Sequence, residues 1–262
     1  MKLVSFTSRD GTRIGCHVTG RGAPLVLVHG TTADRTRWTP LLSSLEQRFT
    51  VYALDRRGRG VSGDATAYDL DREIDDVAAV VDGIGGPVDL LGHSYGALVS
   101  LEAATRVASL RRLALYEPPI PTAVPLVGSE LIARLDALIA AGERDAAVST
   151  FLAEGPRVPA AQLAIMKSLP AWAARVAAAH TIPRELRASS EYRFDASRFA
   201  RVRVPTLLLL GGASPPPFRA ALELVQGAIP HAELAVLPGQ QHAAIDTAPD
   251  LFSRELLRFF SA

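Results

Sequence analysis

One serine in this sequence lies where a nucleophile could act. The segment Gly92-His93-Ser94-Tyr95-Gly96 fits the pattern Gly-x-Ser-x-Gly, in which a serine occupies a sharp turn from a strand into a helix. The apolar run Val88-Asp89-Leu90-Leu91 before it predicts the strand, and a helical segment follows. Small flanking residues let two backbone segments pass closely around an exposed hydroxyl. We therefore predict that Ser94 is a nucleophile, the alternative being an ordinary Gly-Ser turn.

A serine hydroxyl needs a base within hydrogen-bond reach, and histidine is the commonest one. His242 follows the predicted strand 234–237 and a turn, which places it at the carboxyl end of that strand. The other histidines precede the Gly-x-Ser-x-Gly segment, belong to it, or lie in less suitable places: His17, His29, His93, His180 and His231. We predict His242 as the general base, the alternative being a loop histidine in solvent.

Attack on a carbonyl also requires hydrogen-bond donors for the negative oxygen that develops. The backbone amide of Tyr95, at the predicted helix start, is one candidate. The amide of Thr31, in the loop after the predicted strand 25–28, is the other. Backbone amides leave no side-chain signature, so both predictions rest on position in the sequence.

The elements that would position these groups alternate between strands and helices. Short apolar runs predict buried strands at 25–28, 50–54, 88–91, 113–116, 206–210 and 234–237, after an N-terminal hairpin of 3–7 and 12–19. Helical stretches are predicted at 38–48, 70–83, 95–107, 219–228 and 249–260. This alternation predicts an α/β fold, with a mostly parallel twisted sheet of about eight strands and helices on both faces.

One long stretch, from Tyr116 to Val204, lacks strand-like runs and is predicted to be helical. We expect residues 118–200 to form a helical cap inserted in a core made of residues 1–117 and 201–262. The prolines at 118, 119 and 121 predict a stiff hinge at its start. Trp38, Met166 and Trp172 are candidate residues of an apolar substrate pocket, although apolar helix residues are more often packed core.

The motifs together resemble one known family. His29-Gly30, Asp55-Arg56-Arg57-Gly58-Arg59-Gly60, the Gly92–Gly96 segment and Gly239-Gln240-Gln241-His242 occur in the order and spacing of the α/β-hydrolase superfamily. The resemblance covers nearly the whole chain and implies a serine hydrolase with a catalytic triad. The stretch from Asp55 to Gly63 lacks the Lys-Ser/Thr ending of a phosphate-binding loop, and we interpret it as a structural turn.

The resemblance also implies an acidic residue, and here the sequence departs from the family pattern. Superfamily members usually carry an aspartate, as Gly-x-x-Asp, after the strand that corresponds to 206–210, but this chain has Gly211-Gly212-Ala213-Ser214. Glu117, at the end of strand 113–116, is our candidate, because some members carry the acid there and the order Ser, acid, His is kept. It could instead be a structural glutamate at the hinge. Asp246 and Asp195 are weaker candidates.

Composition argues against several classes of partner. The 262 residues include 28 basic and 27 acidic side chains, so the formal net charge of +1 gives no argument for nucleic-acid binding. No apolar run approaches the roughly 20 residues that cross a bilayer. The first residues lack the apolar segment of a signal peptide, so we expect a cytoplasmic protein. Cys16 is the single cysteine, which excludes an intrachain disulfide and a multi-cysteine metal site.

These observations predict hydrolysis of a carboxylic ester or lactone of a small, largely apolar substrate through a Ser94 acyl-enzyme. Neither a metal nor an organic cofactor is expected, and the oligomeric state is left open. Serine at the turn argues against dehalogenase and epoxide hydrolase chemistry, which uses aspartate there in this superfamily. Two alternatives stay open: non-hydrolytic use of the same site, in carbon–carbon cleavage or as a lyase or cyclase of small-metabolite biosynthesis, and a non-catalytic small-molecule binder.

Overall fold

The chain builds one eight-stranded sheet. A computed structural model describes residues 2–123 and 127–261, so Met1, residues 124–126 and Ala262, which the predicted core and cap ranges include, lie outside the described residues. The strands are β1 (Lys2–Thr7), β2 (Arg13–Gly20), β3 (Ala23–Val28), β4 (Phe49–Leu54), β5 (Val88–His93), β6 (Leu110–Tyr116), β7 (Thr206–Gly211) and β8 (Glu233–Leu237). Their order is β1-β2-β4-β3-β5-β6-β7-β8. Strand β2 is antiparallel to β1 and β4, and the other neighbours are parallel. The predicted α/β fold with a mostly parallel sheet is confirmed.

Helices cover both faces of this sheet. They are α1 (Thr39–Leu45), α2 (Leu70–Ile84), α3 (Tyr95–Ala103), α10 (Pro216–Ala228), α11 (Ala244–Thr247) and α12 (Pro249–Ser261). Successive residues of a strand point to opposite faces. In β3, Val26 and Val28 therefore pack on the side of α2, α3 and α10, and Leu25 and Leu27 on the side of α1 and α12. Strands buried on both faces read as continuous apolar runs, which explains the pattern in the sequence.

Among the described residues, six helices lie between β6 and β7, and we call them the inserted helices. They are α4 (Ser129–Ala140), α5 (Arg144–Glu154), α6 (Ala160–Ser168), α7 (Ala171–Ala177), α8 (Thr181–Glu191) and α9 (Ala196–Phe199). They bury a small core of their own, which includes Leu135, Phe151 and Ile182. All six lie within the stretch that the sequence predicts to be helical, and the buried positions of α8 include the charged Glu185. Within residues 2–123 and 127–261, no helix combines the length and apolar character that crossing a membrane requires.

Buried ion pairs join α8 to the loop that follows β4. Glu185 accepts hydrogen bonds from Arg56, at 3.3 Å, and from Arg59, and Arg56 also pairs with Glu73 at 2.5 Å. All four side chains are buried. Burial opposes ionisation, but the two arginines hold the pKa of Glu185 below its usual value, at about 2. Arg56 and Arg59 belong to the Asp55–Gly63 stretch, so this stretch serves as a structural turn that anchors the inserted helices.

Candidate active site

Ser94 lies in a strained turn between β5 and α3. Its backbone angles, φ 56° and ψ −127°, fall outside the regions that residues other than glycine favour. A Cβ atom on Gly92 would lie 2.5 Å from Ala97 Cα, and one on Gly96 would lie 2.3 Å from the Val28 carbonyl oxygen. Side chains at either position would therefore collide with backbone. The spacing seen in the sequence is a steric requirement of this turn, and strain of this kind concentrates at functional sites.

The loop after β3 packs directly on the serine. A Cβ atom on Gly30 would lie 2.7 Å from Ser94 Cβ. Thr31 and Tyr95 line the same cavity as Ser94. Tyr95 is the first residue of α3, where a backbone N–H has no partner within the helix. Amides at these two positions can donate to an oxygen bound beside Ser94.

His242 and Glu117 form a direct hydrogen bond. The His242 Nδ1–H donates to Glu117 Oε2 at 2.6 Å, and the Gly211 N–H donates to Glu117 Oε1 at 2.7 Å. Glu117 is fully buried, whereas the His242 side chain keeps 14% of its surface exposed. With Nδ1 donating to the carboxylate, His242 presents Nε2 as an acceptor. His242 and Ser94 line one cavity, so the structure brings the predicted nucleophile, base and acid together.

Neighbouring rings fix the orientation of His242. Phe218 on α10 stacks on its ring with centroids 4.5 Å apart and an interplanar angle of 13°. His93, next to the serine, lies with its ring centroid 4.7 Å from that of His242 and donates from Nε2 to the His242 carbonyl at 3.2 Å. The Tyr116 hydroxyl donates to the Gln241 carbonyl. Sequence reasoning missed these contacts, because nothing in the pattern relates Phe218 or Tyr116 to residue 242.

The weaker candidates for the acid are occupied elsewhere. Asp246 pairs with Arg37 at 2.5 Å, and Asp195 caps α9 by accepting from the Ser197 N–H at 3.0 Å. Strand β7, where the family usually carries its acid, instead supplies the Gly211 amide that holds Glu117. The parallel pairing of β6 with β7 brings that amide within reach, because Tyr116 lies opposite Leu209.

A cavity of about 220 Å³ extends from Ser94 and His242 toward the inserted helices. Met166 lines it, as the sequence suggested. The pocket assignment was wrong for Trp38, which is fully buried in the core beside α1. It was also wrong for Trp172, which packs among the inserted helices and donates to Asp145 at 2.6 Å. Both follow the usual fate of large apolar residues on helices.

Three arginines also line this cavity, and sequence reasoning missed them: Arg37, Arg157 and Arg175. Asp246 is the one acidic residue in the described lining of the cavity. An arginine looks the same in the sequence whether its side chain faces solvent or a cavity, so the sequence carried no signal that could separate the two. The pocket is consequently more basic than the predicted apolar pocket.

A second histidine beside the site is held neutral. The His29 Nδ1–H donates to the Gly30 carbonyl at 2.9 Å, and His29 Nε2 accepts the Arg56 N–H at 3.1 Å. The ring is fully buried. Burial, followed by the charges of Arg59 and Arg56, places the pKa of His29 well below its usual value. Protonation of Nε2 would remove the bond from Arg56, so the hydrogen bonds and the electrostatics agree.

We therefore expect the free energy of unfolding to fall as the pH drops from about 7.5 to about 5.5. An unfolded histidine binds a proton near pH 6.5, whereas folded His29 does not. Below pH 6.5 the unfolded state is favoured by binding a proton that folded His29 does not bind. The stabilisation of the folded state by the neutral His29 is therefore complete well above pH 6.5 and is progressively lost below it. The expected loss is about 1 kcal/mol from His29 over this interval, measured by denaturant titration at both pH values.

Two variants test the assignment of this pH dependence. His29→Gln should weaken it by about the His29 contribution. His231→Gln is the control, because His231 is exposed and substitution there removes no buried ring. An unchanged pH dependence in His29→Gln would contradict the argument.

Comparison with known proteins gives four informative matches. The family model described as "Alpha/beta hydrolase family" matches residues 25–255. A 2-(acetamidomethylene)succinate hydrolase of Mesorhizobium japonicum is 30% identical, over 98% of this chain and 96% of that protein. An N-formylmaleamate deformylase of Pseudomonas putida is 38% identical, over 38% of this chain and 39% of that protein. The crystal structure of an alpha/beta hydrolase from Sphaerobacter thermophilus is 39% identical, with a TM-score of 0.86, covering 98% of this chain and 100% of that one.

Proposed function

The chain belongs to the alpha/beta hydrolase family, and from that premise we propose that it hydrolyses an acyl bond of a small substrate through an acyl-enzyme on Ser94. The observation that carries the proposal is the 2.6 Å bond between His242 Nδ1 and the buried carboxylate of Glu117. This bond orients the His242 ring and leaves Nε2 free to take a proton. The same cavity contains the hydroxyl that would give it up.

The proposed reaction has two halves. Ser94 Oγ attacks the substrate carbonyl carbon while His242 Nε2 takes the hydroxyl proton, and the amides of Thr31 and Tyr95 donate to the resulting oxyanion. The protonated His242, stabilised by Glu117, then gives its proton to the leaving nitrogen or oxygen as the acyl bond breaks. In the second half a water molecule, deprotonated by His242, attacks the acyl-enzyme. The acid is released and Ser94 regains its proton.

The names of two relatives favour a carbon–nitrogen bond over the ester or lactone expected from sequence. The M. japonicum enzyme is named for an acetamido substrate and the P. putida enzyme for an N-formyl substrate. In each named group an acyl carbon is bonded to nitrogen. We therefore propose an amide as the first substrate class for this chain, with an ester as the second. The catalytic steps of Ser94 and His242 are the same for both.

A non-catalytic binder loses its main argument. The absence of an acid at Ser214 would favour that alternative, but Glu117 supplies a carboxylate to His242 by another route. A protein that only binds has no need for a fully buried glutamate aimed at a histidine beside a strained serine. Burying such a charge costs free energy unless it is paired.

Intact-mass measurement after incubation with a fluorophosphonate tests the proposal. An activated serine reacts with this reagent, so we expect one adduct per chain. The labelled and unlabelled chains should then be compared for acetate release from 4-nitrophenyl acetate and from 4-nitroacetanilide. These two probes share the acyl group and differ in the bond that is broken, so they rank ester against amide.

Ser94→Ala is the matched control, because it removes the hydroxyl oxygen and leaves the backbone of the turn unchanged. The adduct should disappear in this variant, together with acetate release. An adduct that persists in Ser94→Ala, or the absence of labelling in a folded native chain, would contradict the proposal.

A further inference from the structure

Arg175 on α7 reaches into the cavity that contains Ser94 and His242. Its Nη1 donates to Thr32 Oγ1 at 2.8 Å and to the Thr32 carbonyl at 3.4 Å. Thr32 is two residues beyond Gly30, which packs on the serine. The guanidinium is therefore held at the loop that borders the proposed reacting centre.

Thr32, which accepts these hydrogen bonds, has an unusual backbone conformation. Its φ of 64° lies in the left-handed region, where a β-branched side chain is an outlier. It is almost completely buried. Such a conformation persists only when its surroundings enforce it. Two hydrogen bonds from one guanidinium group to Thr32 are part of that enforcement, so the position of Arg175 is well defined.

Arg175 differs from its neighbour Arg37 in having no acidic partner. Arg37 is paired with Asp246 at 2.5 Å. Among residues 2–123 and 127–261, no carboxylate forms an ion pair with Arg175, and its Thr32 acceptors are uncharged. Burial, together with repulsion from Arg37, lowers the pKa of Arg175 to about 10. The group thus stays cationic at neutral pH, and in the described part of the chain no carboxylate contacts it directly.

We propose that Arg175 binds a carboxylate of the substrate. The substrate class is then a small carboxylic acid that also contains the ester or amide bond to be hydrolysed. The planar guanidinium of a cavity-lining arginine suits a carboxylate, to which it can donate two parallel hydrogen bonds. Partial removal from water strengthens that pairing. This inference rests on the proposed function, because it concerns the substrate of the same site.

The experiment uses two pairs of esters, each with an anionic member and a neutral analogue of similar size. For a carboxylate on the acyl side, the probes are 4-nitrophenyl hemisuccinate and 4-nitrophenyl butyrate. For a carboxylate on the leaving side, they are 4-acetoxybenzoate and its methyl ester. Each is assayed with the native chain and with the variants Arg175→Met, Arg175→Lys and Arg157→Met. The Ser94→Ala variant supplies the background rate.

We expect the native chain to prefer the anionic member of at least one pair. In that pair, Arg175→Met should lower kcat/KM for the anionic ester about 100-fold, mainly through KM, as expected for loss of a charge-assisted hydrogen bond. The neutral ester should lose less than about tenfold, because Thr32 also loses a partner. Arg175→Lys should recover part of the preference, and Arg157→Met should keep it.

Two results would overturn the inference. One is an equal loss for anionic and neutral esters in Arg175→Met, which is the result expected if Arg175 only supports the Thr32 loop. The other is a loss of the preference in Arg157→Met, which would assign the anion to a different arginine. Failure of the proposed function looks different, since the native chain would then hydrolyse none of the four esters and would take no fluorophosphonate label.

Discussion

Ser94→Ala is expected to lower the turnover number by about 10⁶-fold, and adding His242→Ala should cost almost nothing more. The reason is that the hydroxyl and the imidazole perform one proton transfer together. When either is missing, the other has nothing to act on. His242→Ala alone should therefore be close to Ser94→Ala, with the remaining rate coming from substrate binding and the Thr31 and Tyr95 amides.

A double-mutant cycle with 4-nitrophenyl acetate measures this coupling. Four chains are compared: the native one, the two single variants and the double variant. Strongly non-additive effects are expected. Additive effects, in which the double variant falls by the product of the two single factors, would mean that Ser94 and His242 act independently and that the proposed mechanism is wrong. Near-native turnover in His242→Ala would point to another base.

The residues around the serine could be predicted because their chemistry constrains the local sequence. Glycine is the residue that fits at 92 and 96, where any Cβ would meet backbone at 2.5 Å or less. The strand, turn and helix around Ser94 are contiguous in sequence, so the pattern and its structural context are read together. His242 could be predicted for a related reason, since parallel strands bring their carboxyl ends to one edge of the sheet.

The pocket could not be predicted in the same way. Arg175 reaches it from α7, and Phe218 contacts His242 from α10. Both contacts depend on how helices pack in three dimensions, which the period of an apolar pattern does not specify. The same limit explains the errors at Trp38 and Trp172, which are large apolar side chains on or beside helices that pack into cores. A charged residue at a buried helix position, such as Glu185, also gives no sign in the sequence that it is buried.

Glu117 is an intermediate case, and its substitution has the second largest expected effect. Glu117→Gln should lower the turnover number by about 10⁴-fold, as in triads whose acid is replaced by an amide. A glutamine oxygen can still accept the Gly211 N–H, so the fold around β7 should be kept. The glutamine has no negative charge to favour a proton on His242 Nδ1, and His242 Nε2 then becomes a poorer acceptor for the Ser94 proton. Steady-state kinetics measures the loss of turnover, and thermal unfolding checks that the fold is kept.

Glu102→Gln is the matched control for that measurement. Glu102 is buried as well, where it accepts from the Tyr192 hydroxyl at 2.6 Å and pairs with Arg198, and it does not line the described cavity. Its substitution should change stability but leave the turnover number within about threefold. A comparable fall in both variants would mean that loss of any buried glutamate disturbs the enzyme, and the special role of Glu117 would be refuted.

Position 214 offers another place for the carboxylate that Glu117→Gln removes. Ser214 occupies the place where the family usually carries its acid, and its buried hydroxyl has no partner in the described part of the chain. A Cβ on Gly211 would touch both Ser214 Oγ and Gln241 Cα, so this position is next to the His242 loop. Ser214→Asp in the Glu117→Gln background should therefore recover about 10- to 100-fold of the lost turnover. The reason is that a nearby carboxylate stabilises the His242 imidazolium, whichever strand carries it. Recovery would assign the role of Glu117 to its charge, whereas a folded double variant with no recovery would assign it to the bond geometry that Gly211 enforces.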